Sequence, residues 1–369
     1  MLRRLYVDNY KCLVNFEFHA KPLQLLLGEN GTGKSTVFEV LLLLKQFATQ
    51  GQTTTSLFPS RSLTRWQTRN TQSFELDLDG NGGHYHYQLQ IEQDVRHESS
   101  RVSLEELSFN DHRLFWAAKG DGRLYRDDFS EGPAIGLDWT RSGVAGLSER
   151  PDNQRLTWFK NRISRVYCVH LDPRRMTARS ETEEPQPAFD LKNFASWYRH
   201  LAQERSEGIA EARSSLAGII EGLDAINTTH EGQAVRVLKI TQRSDERQEP
   251  MIFDFDELSD GQRALIALYT LLHCSTDEDS TVCIDEPDNF VALPEIQPWL
   301  THVNDRADEN RCQVMLASHH PELINYLARD CGVTFRRSGN GPVQVAPFSA
   351  DTSSGLSTSE LVARGWDDE

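Results

Sequence analysis

The chain has 369 residues, 38% of them hydrophobic and 25% charged, with a formal net charge of −16. That length can bury one large core or two modest ones, and the acidic balance argues against a surface coated in positive charge for nucleic acid while leaving room for one local basic groove. No apolar run approaches the length of a membrane span, and Met1-Leu2-Arg3-Arg4 leads into strand-like sequence without the apolar core of a signal peptide, so a cytoplasmic location away from any membrane is expected.

Leu5 to Lys11 and Phe16 to Phe18 alternate apolar and polar residues, which predicts a hairpin running into a short buried strand, Leu23 to Leu27. Gly28-Glu29-Asn30-Gly31-Thr32-Gly33-Lys34-Ser35 follows and fits G-x-x-x-x-G-K-[ST], the phosphate-binding P-loop. Its glycines let backbone N–H groups curl around phosphate oxygens, Lys34 can reach the β/γ-phosphates, and the Ser35 hydroxyl can ligate Mg²⁺. Ser35 to Gln46 reads as a helix, so the phosphates would sit at a helix N-terminus, where free N–H groups favour anions. The plain alternative is a glycine-rich turn with a solvated lysine. Strand, loop and helix in register favour a nucleoside triphosphate.

Gly51 to Asn70 reads as a surface loop carrying Arg61, Arg65 and Arg69. Ser73 to Asp79, the turn Gly80-Asn81-Gly82-Gly83, and His84 to Gln90 make a second hairpin. His84 and His86 share a face, but no carboxylate or cysteine stands at a useful spacing for a metal, and a structural strand is the favoured reading. Val102 to Phe109 and Arg113 to Ala117 continue the pattern to a turn at Gly120-Asp121-Gly122, and Gly132 to Pro151 is loop-like. This region reads as an antiparallel β-lobe. Arg165 to Leu171 is a buried strand ending at Asp172-Pro173-Arg174-Arg175, and Arg174, Arg175 and Arg179 form a second basic cluster.

Pro185 and Pro187 among acidic residues mark a linker, and Leu191 to Leu223 carries apolar residues at helical spacing. Ala234 to Thr241 and Met251 to Phe255 are strands. Leu258-Ser259-Asp260-Gly261-Gln262 opens a helix to about His273, and Thr281 to Ile284 is a buried strand ending in Asp285-Glu286-Pro287-Asp288. Glu295 to Asn304 is helical, and the strand Cys312 to Ala317 ends in Ser318-His319-His320-Pro321. Past Phe348 only a polar tail remains. The six scattered cysteines read as reduced and mostly buried. Strands alternating with helices, each strand ending in chemistry, indicate an α/β sheet with its site at the strand C-termini. The divisions expected are 1–50 and 233–348 for the two parts of the core, 51–180 for the β-lobe with its return strand, 181–232 for a helical insertion, and 349–369 for the tail.

An apolar strand ending in Asp-Glu suits nucleotide hydrolysis, with Asp285 on Mg²⁺ and Glu286 polarising water, although a solvated loop start has the same appearance. Ser259 and Gln262 match a capping box, a common way to begin a helix. The same residues also resemble the Leu-Ser-Gly-Gly-Gln signature of the ABC-class ATPases, with Asp260 in place of one glycine. The order of P-loop, signature, acidic strand end and histidine is the order of that class. Asn9-Tyr10-Lys11-Cys12-Leu13 resembles the opening of its SMC and RecF-like branch. Glu257 to Arg263 and Ser318 to Leu323 are most similar to prokaryotic ATPases related to the OLD nucleases.

The resemblance covers essentially the whole chain and implies an α/β P-loop NTPase of ABC type, with a central mostly parallel sheet, an antiparallel β-lobe and a short helical insertion. It implies that Asn30, Gly31, Gly33, Lys34, Ser35 and Thr36 bind ATP, that Ser35 and Asp285 hold Mg²⁺, that Glu286 is the catalytic base and that His319 senses the γ-phosphate. Ser259 and Gly261 would act in trans on ATP held by a second copy, giving a homodimer that gates DNA or a separate effector such as a nuclease, in anti-phage defence or DNA maintenance. His320 stands where relatives usually have Ser, which leaves the choice of switch histidine open. The strand ending near Asp172 lacks the family's glutamine, and there is no room for the Toprim nuclease domain of OLD proteins. The competing classes are a RecF-like repair ATPase, a transporter subunit, disfavoured by the long P-loop-to-signature distance, and a scaffold that holds ATP with little turnover.

Overall fold

Period-two alternation in the first third of the chain builds one antiparallel sheet. The computed structural model describes residues 1–244, 249–276, 279–309, 312–339, 341–349 and 356–364, and divides into two units, Met1–Val166 with Leu327–Glu369, and Tyr167–Tyr326. In the first unit, β1 (Leu2–Asp8) pairs with β2 (Phe16–His19), and β3 (Leu23–Leu27) leads through the P-loop segment into α1 (Lys34–Gln50). After the one-turn α2 (Thr54–Leu57) come β4 (Thr71–Gly80), β5 (Gly83–Asp94), β6 (Ser99–Phe109), β7 (His112–Ala118), β8 (Asp121–Tyr125) and β9 (Glu131–Gly136), then α3 (Gly143–Gly146) and α4 (Gln154–Ser164). The sheet runs β2-β1-β4-β5-β6-β7-β8-β9. Between β4 and β5, Asn81 (φ 51°) and Gly82 (φ 77°) supply the two positive-φ residues of a type I′ hairpin turn, whose twist matches the flanking strands.

Two elements here exceed the expectation. Gly132, Pro133 and Gly136 make β9 read as loop, yet it lies at the end of the sheet, where a proline need not donate to a further strand. On α4 the buried Leu156, Phe159 and Ile163 face the core. An aromatic chain joins α1 to the sheet and fixes the Asn9–Leu13 turn: Phe47 on Phe58 (6.0 Å), Phe58 on Phe74 (5.1 Å) and Phe74 on Tyr10 (5.8 Å).

The second unit begins with β10 (Val166–His170) and β11 (Arg179–Ser180), followed by α5 (Phe194–Glu204), α6 (Ser206–Ala217), β12 (Leu223–Glu231), β13 (Val235–Gln242) and β14 (Met251–Asp254). Then come α7 (Asp260–Cys274), β15 (Ser280–Asp285), α8 (Leu293–Asp308), β16 (Cys312–Ala317) and α9 (Pro321–Cys331). The stretch from Leu191 to Leu223 thus holds two helices, and β12, which begins at its last residue, forms a hairpin with β13, while β11 and β14 take the other edge of β13. Phe194 stacks on Phe255 at 5.0 Å and anchors α5 there. β15 and β16 are parallel, in register from Ser280 opposite Cys312 to Asp285 opposite Ala317, and every residue of both is buried. β10 lies beside β15.

Back in the first unit, β17 (Gly332–Arg337) runs parallel to β3, with Gly332 opposite Leu25 and Thr334 opposite Leu27. β18 (Val343–Pro347) returns antiparallel to it, and α10 (Thr358–Arg364) forms within the polar tail. The expected parallel sheet and antiparallel lobe are both present. None of the six cysteines is in a disulfide, and five are buried. Among the described residues no helix is long and apolar enough to cross a membrane.

The β-lobe encloses one fully buried carboxylate. Glu105 accepts hydrogen bonds from Tyr87 Oη (2.9 Å), Ser142 Oγ (2.5 Å) and the Gly143 N–H (2.7 Å), tying β5, β6 and the start of α3 together. Burial is the largest influence on this carboxyl and pushes it above the usual range, against the pull of those bonds. Glu105→Ala strands three donors and is expected to lower the melting temperature by about 5 °C or more. A raised carboxyl contributes fully below its unfolded pKa and loses that contribution as pH rises through the folded value. The melting deficit is therefore greatest below about pH 4 and narrows as pH rises above that; a deficit that widens with rising pH would contradict the assignment.

Candidate functional site

The P-loop is held in the first unit by close backbone packing. Gly28 has φ 140°, and a Cβ there would stand 2.3 Å from the Phe335 carbonyl oxygen, because β17 runs directly alongside. Gly31 (φ 80°) and Gly33 (φ 94°) are both left-handed, a region that glycine enters without strain. A Cβ on Gly33 would meet Cys12 Sγ at 3.0 Å and Val343 at 3.1 Å. The Asn9–Leu13 turn thus lies against the loop. Asn9 is fully buried and donates from Nδ2 to the carbonyls of Arg69 (2.7 Å) and Thr71 (2.9 Å), and Val343 N–H donates to Cys12 O (3.1 Å).

At Gly33 the helix α1 starts with no side-chain cap and no acid in its first turn. The leading N–H groups of a helix have no partner within it, so this end offers donors and a positive dipole to an anion. Asn30, Gly31 and Ser35 are exposed, while Lys34 is buried with Nζ 2.7 Å from Gly28 O and 3.1 Å from Glu29 O, folded into the loop it would serve. Arg337 donates to Gly31 O (3.3 Å) and to Gly341 O (2.9 Å) and lies over the Trp66 ring, 5.2 Å from its centroid.

In the second unit, Asp285 ends β15 almost wholly buried, and its carbonyl accepts from Leu171 N–H (3.3 Å). His170, the last residue of β10, places Nδ1 3.7 Å from Asp285 Oδ2, and that contact raises the imidazole pKa above its ordinary value. Glu286 adopts φ 55°. Its N–H is tied to Ala317 O (2.8 Å) and its Oε2 accepts from Asn289 Nδ2 (2.6 Å). Asp288 accepts from Ser318 Oγ (2.5 Å), which in turn accepts from the His320 N–H (2.9 Å). His320 Nδ1 accepts from the Glu322 N–H (3.2 Å) at the start of α9, while His319 is exposed. The two adjacent histidines are thus unequal: His320 caps a helix.

The signature segment forms the capping box that its sequence predicts. Ser259 Oγ accepts from Gln262 N–H (3.2 Å), and Gln262 Oε1 accepts from Ser259 N–H (3.2 Å). Gly261 is required by space, since a Cβ would stand 2.8 Å from Phe290 O. Phe290 belongs to the turn that follows Glu286, so one backbone segment touches both groups of site residues in this unit.

Each unit therefore gathers its own expected residues: Asn30 to Thr36 in the first, and Ser259, Gly261, Asp285, Glu286 and His319 in the second. The arginine clusters fare differently. Arg69 pairs with Asp8 (3.0 Å), Arg174 with Asp260 (3.0 Å), Arg175 with Asp190 (3.0 Å) and Arg179 with Glu231 (2.9 Å). His84 and His86 are bonded to Asp79 (2.9 Å) and Asp77 (2.6 Å), and no group of three or more metal-ligating side chains suited to a metal occurs among the described residues. Sequence reasoning missed His170 and its contact with Asp285. The available signal was a polar residue at the end of a buried strand.

Residues 159–325 match the family described as "AAA domain, putative AbiEii toxin, Type IV TA system". No curated protein matches the sequence. Among solved structures, an SMC head bound to the C-winged helix domain of ScpA is similar over 96% of this chain and 99% of its own, at 11% identity and TM-score 0.55. An Smc head with an extended coiled coil, bound to the C-terminal domain of ScpA and derived from Pyrococcus furiosus, is similar over 94% of this chain and 96% of its own, at 10% identity and TM-score 0.51. Identities this low speak for the fold alone. The chain has the α/β P-loop NTPase fold seen in SMC-type ABC ATPase heads.

Proposed function

We propose that this protein binds ATP with Mg²⁺, hydrolyses it, and closes as a dimer around two ATP molecules to gate a separate effector such as a nuclease, in the manner of the OLD-type ATPases of anti-phage defence or DNA maintenance. The observation that carries the reading is the uncapped start of α1 behind a loop whose Gly31 and Gly33 are left-handed. The backbone N–H groups from Gly31 to Thr36 and the Lys34 ammonium bind the phosphates. The hydroxyl of Ser35 and the carboxylate of Asp285 are the hard oxygen donors that suit Mg²⁺, which supplies charge neutralisation at the phosphates when bound. Glu286 accepts the proton of the attacking water, with Asn289 holding its carboxylate, and the exposed His319 reads the γ-phosphate. Ser259 and the α7 N–H groups serve ATP carried by the second copy. The ion pairs of Arg69, Arg174, Arg175 and Arg179 favour a protein effector over DNA as the gated partner.

Lys34→Ala removes a charge-assisted contact of roughly 1.5–3 kcal/mol, so ATP affinity measured by calorimetry should fall by about tenfold or more. Unchanged affinity would make the P-loop a mere turn.

Closure is tested separately. Glu286→Gln keeps shape and removes the base, so light scattering in ATP–Mg²⁺ should show a persistent dimer. Ser259→Arg should bind ATP and remain monomeric. Mixing Lys34→Ala with Ser259→Arg chains yields heterodimers in which one site carries both defects and the other neither, so phosphate release should partly return. Absence of rescue at every mixing ratio, with a monomeric Glu286→Gln protein, would reduce Ser259 to a helix cap. A DNA role would instead appear as ATP-dependent, salt-sensitive binding that the triple replacement of Arg61, Arg65 and Arg69 by Ala weakens alike on unrelated sequences.

A further inference from the structure

Asp260 stands in the signature where a glycine is expected, and nothing above gives that carboxylate a task. It is the first residue of α7, next to Ser259, so it lies where the second copy's γ-phosphate is placed by the dimer reading on which this inference rests. Two anions brought together at a closing interface repel, and the repulsion grows as water leaves.

The fold sets two guanidiniums against this carboxylate. Arg263, on the same helix, pairs with Asp260 Oδ1. Arg174 comes from the separate segment after β10 and places Nε 3.0 Å from Oδ2. The same guanidinium lies 5.0 Å from the centroid of the Phe290 ring, a residue whose carbonyl already dictates Gly261. Arg174 is thus held by a carboxylate and an aromatic face at once. Its hydrogen bond is the first cause keeping the Asp260 carboxyl below the usual range, with Arg263 adding to it. Two guanidiniums therefore stand against the one motif carboxylate.

We propose that Arg174 is a positioning residue of the signature: by neutralising Asp260 it makes the α7 N-terminus acceptable to the triphosphate of a second copy, and it links the segment after β10 to dimer closure. An ordinary surface ion pair would contribute little and would have no bearing on ATP-dependent association. The two roles predict different double-mutant behaviour.

The measurement is the dimer dissociation constant in ATP–Mg²⁺, by sedimentation or light scattering, with every variant built on Glu286→Gln. Arg174→Ala should weaken closure by about tenfold or more, because Asp260 then faces the incoming phosphate with one partner fewer. Asp260→Asn alone should change it by less than about threefold, and the double variant should return to the Asp260→Asn value. ATP affinity of the monomer should be unchanged throughout. Arg174→Gln, which keeps a side chain against Phe290, should behave as Arg174→Ala; closure at the parental level in either variant overturns the proposal. Failure of Asp260→Asn to rescue also overturns it, since the arginine would then act through something other than that charge. A parent protein that stays monomeric in ATP removes the dimer reading and this inference with it, whereas a closing parent with an indifferent Arg174 removes the inference alone.

Discussion

A helix that begins without a cap is the constraint on which the chemistry at the P-loop depends. α1 opens at Gly33 with no side chain satisfying its first N–H groups, whereas α7 opens at Ser259 with both partners of a capping box in place. Capping residues ordinarily stabilise a helix by about 1 kcal/mol, so an open start must be maintained by other packing. That packing is visible in the first unit: β17 closes on Gly28, the Asn9–Leu13 turn closes on Gly33, and the Phe47–Phe58–Phe74–Tyr10 chain fixes the turn to α1. These contacts hold the loop at Gly28 and Gly33, and no side chain caps the donors.

At α7, by contrast, Ser259 has an observed structural role as a helix cap, beside the role toward a second copy proposed for it. Its hydroxyl accepts from Gln262 N–H and donates to Gln262 Oε1, both at 3.2 Å, so the contact proposed with a phosphate requires that one proton to turn away from Gln262. Ser259 and Gly261 also lie beside Phe290, in the turn that follows Glu286. Local packing accounts for both the capping box and Gly261.

Legibility in the sequence follows how each element is stabilised. β3, α1, α7, β15 and β16 were readable because burial dictates their composition: β15 and β16 have no exposed residue, and the end of each apolar run marks the chemistry. β9 was not, since an edge strand accepts Gly132 and Pro133 that composition assigns to a loop. β12 has only Leu223 and Ile226 buried, too few to signal alternation, and forms because β13 supplies its ladder. α4 did carry a signal in Leu156, Phe159 and Ile163, diluted by the polar residues between them. Among the candidate site residues, motif spacing points to those within motifs, but His170 and Arg174 make contacts distant in sequence, with Asp285 and Asp260, that no spacing rule reaches.

Glu286 supplies the last step of the argument. Its φ of 55° puts a glutamate in the left-handed region, which costs an L-residue with a Cβ roughly 1–2 kcal/mol. Asp285, one residue earlier, is the extended end of a buried strand, so the break in backbone conformation falls between the two carboxylates. The strain is sustained from both sides, by the Glu286 N–H on Ala317 O and by Asn289 Nδ2 on the Glu286 carboxylate. Strained backbone persists where surrounding contacts over-determine it, and it concentrates at active sites. The exposed Glu98 adopts the same region in an ordinary turn, so it is the two tethers rather than φ alone that set Glu286 apart. The two carboxylates thus differ in setting, Asp285 buried beside His170 and Glu286 half-exposed with Asn289 on its carboxylate, which supports the separate tasks proposed for them.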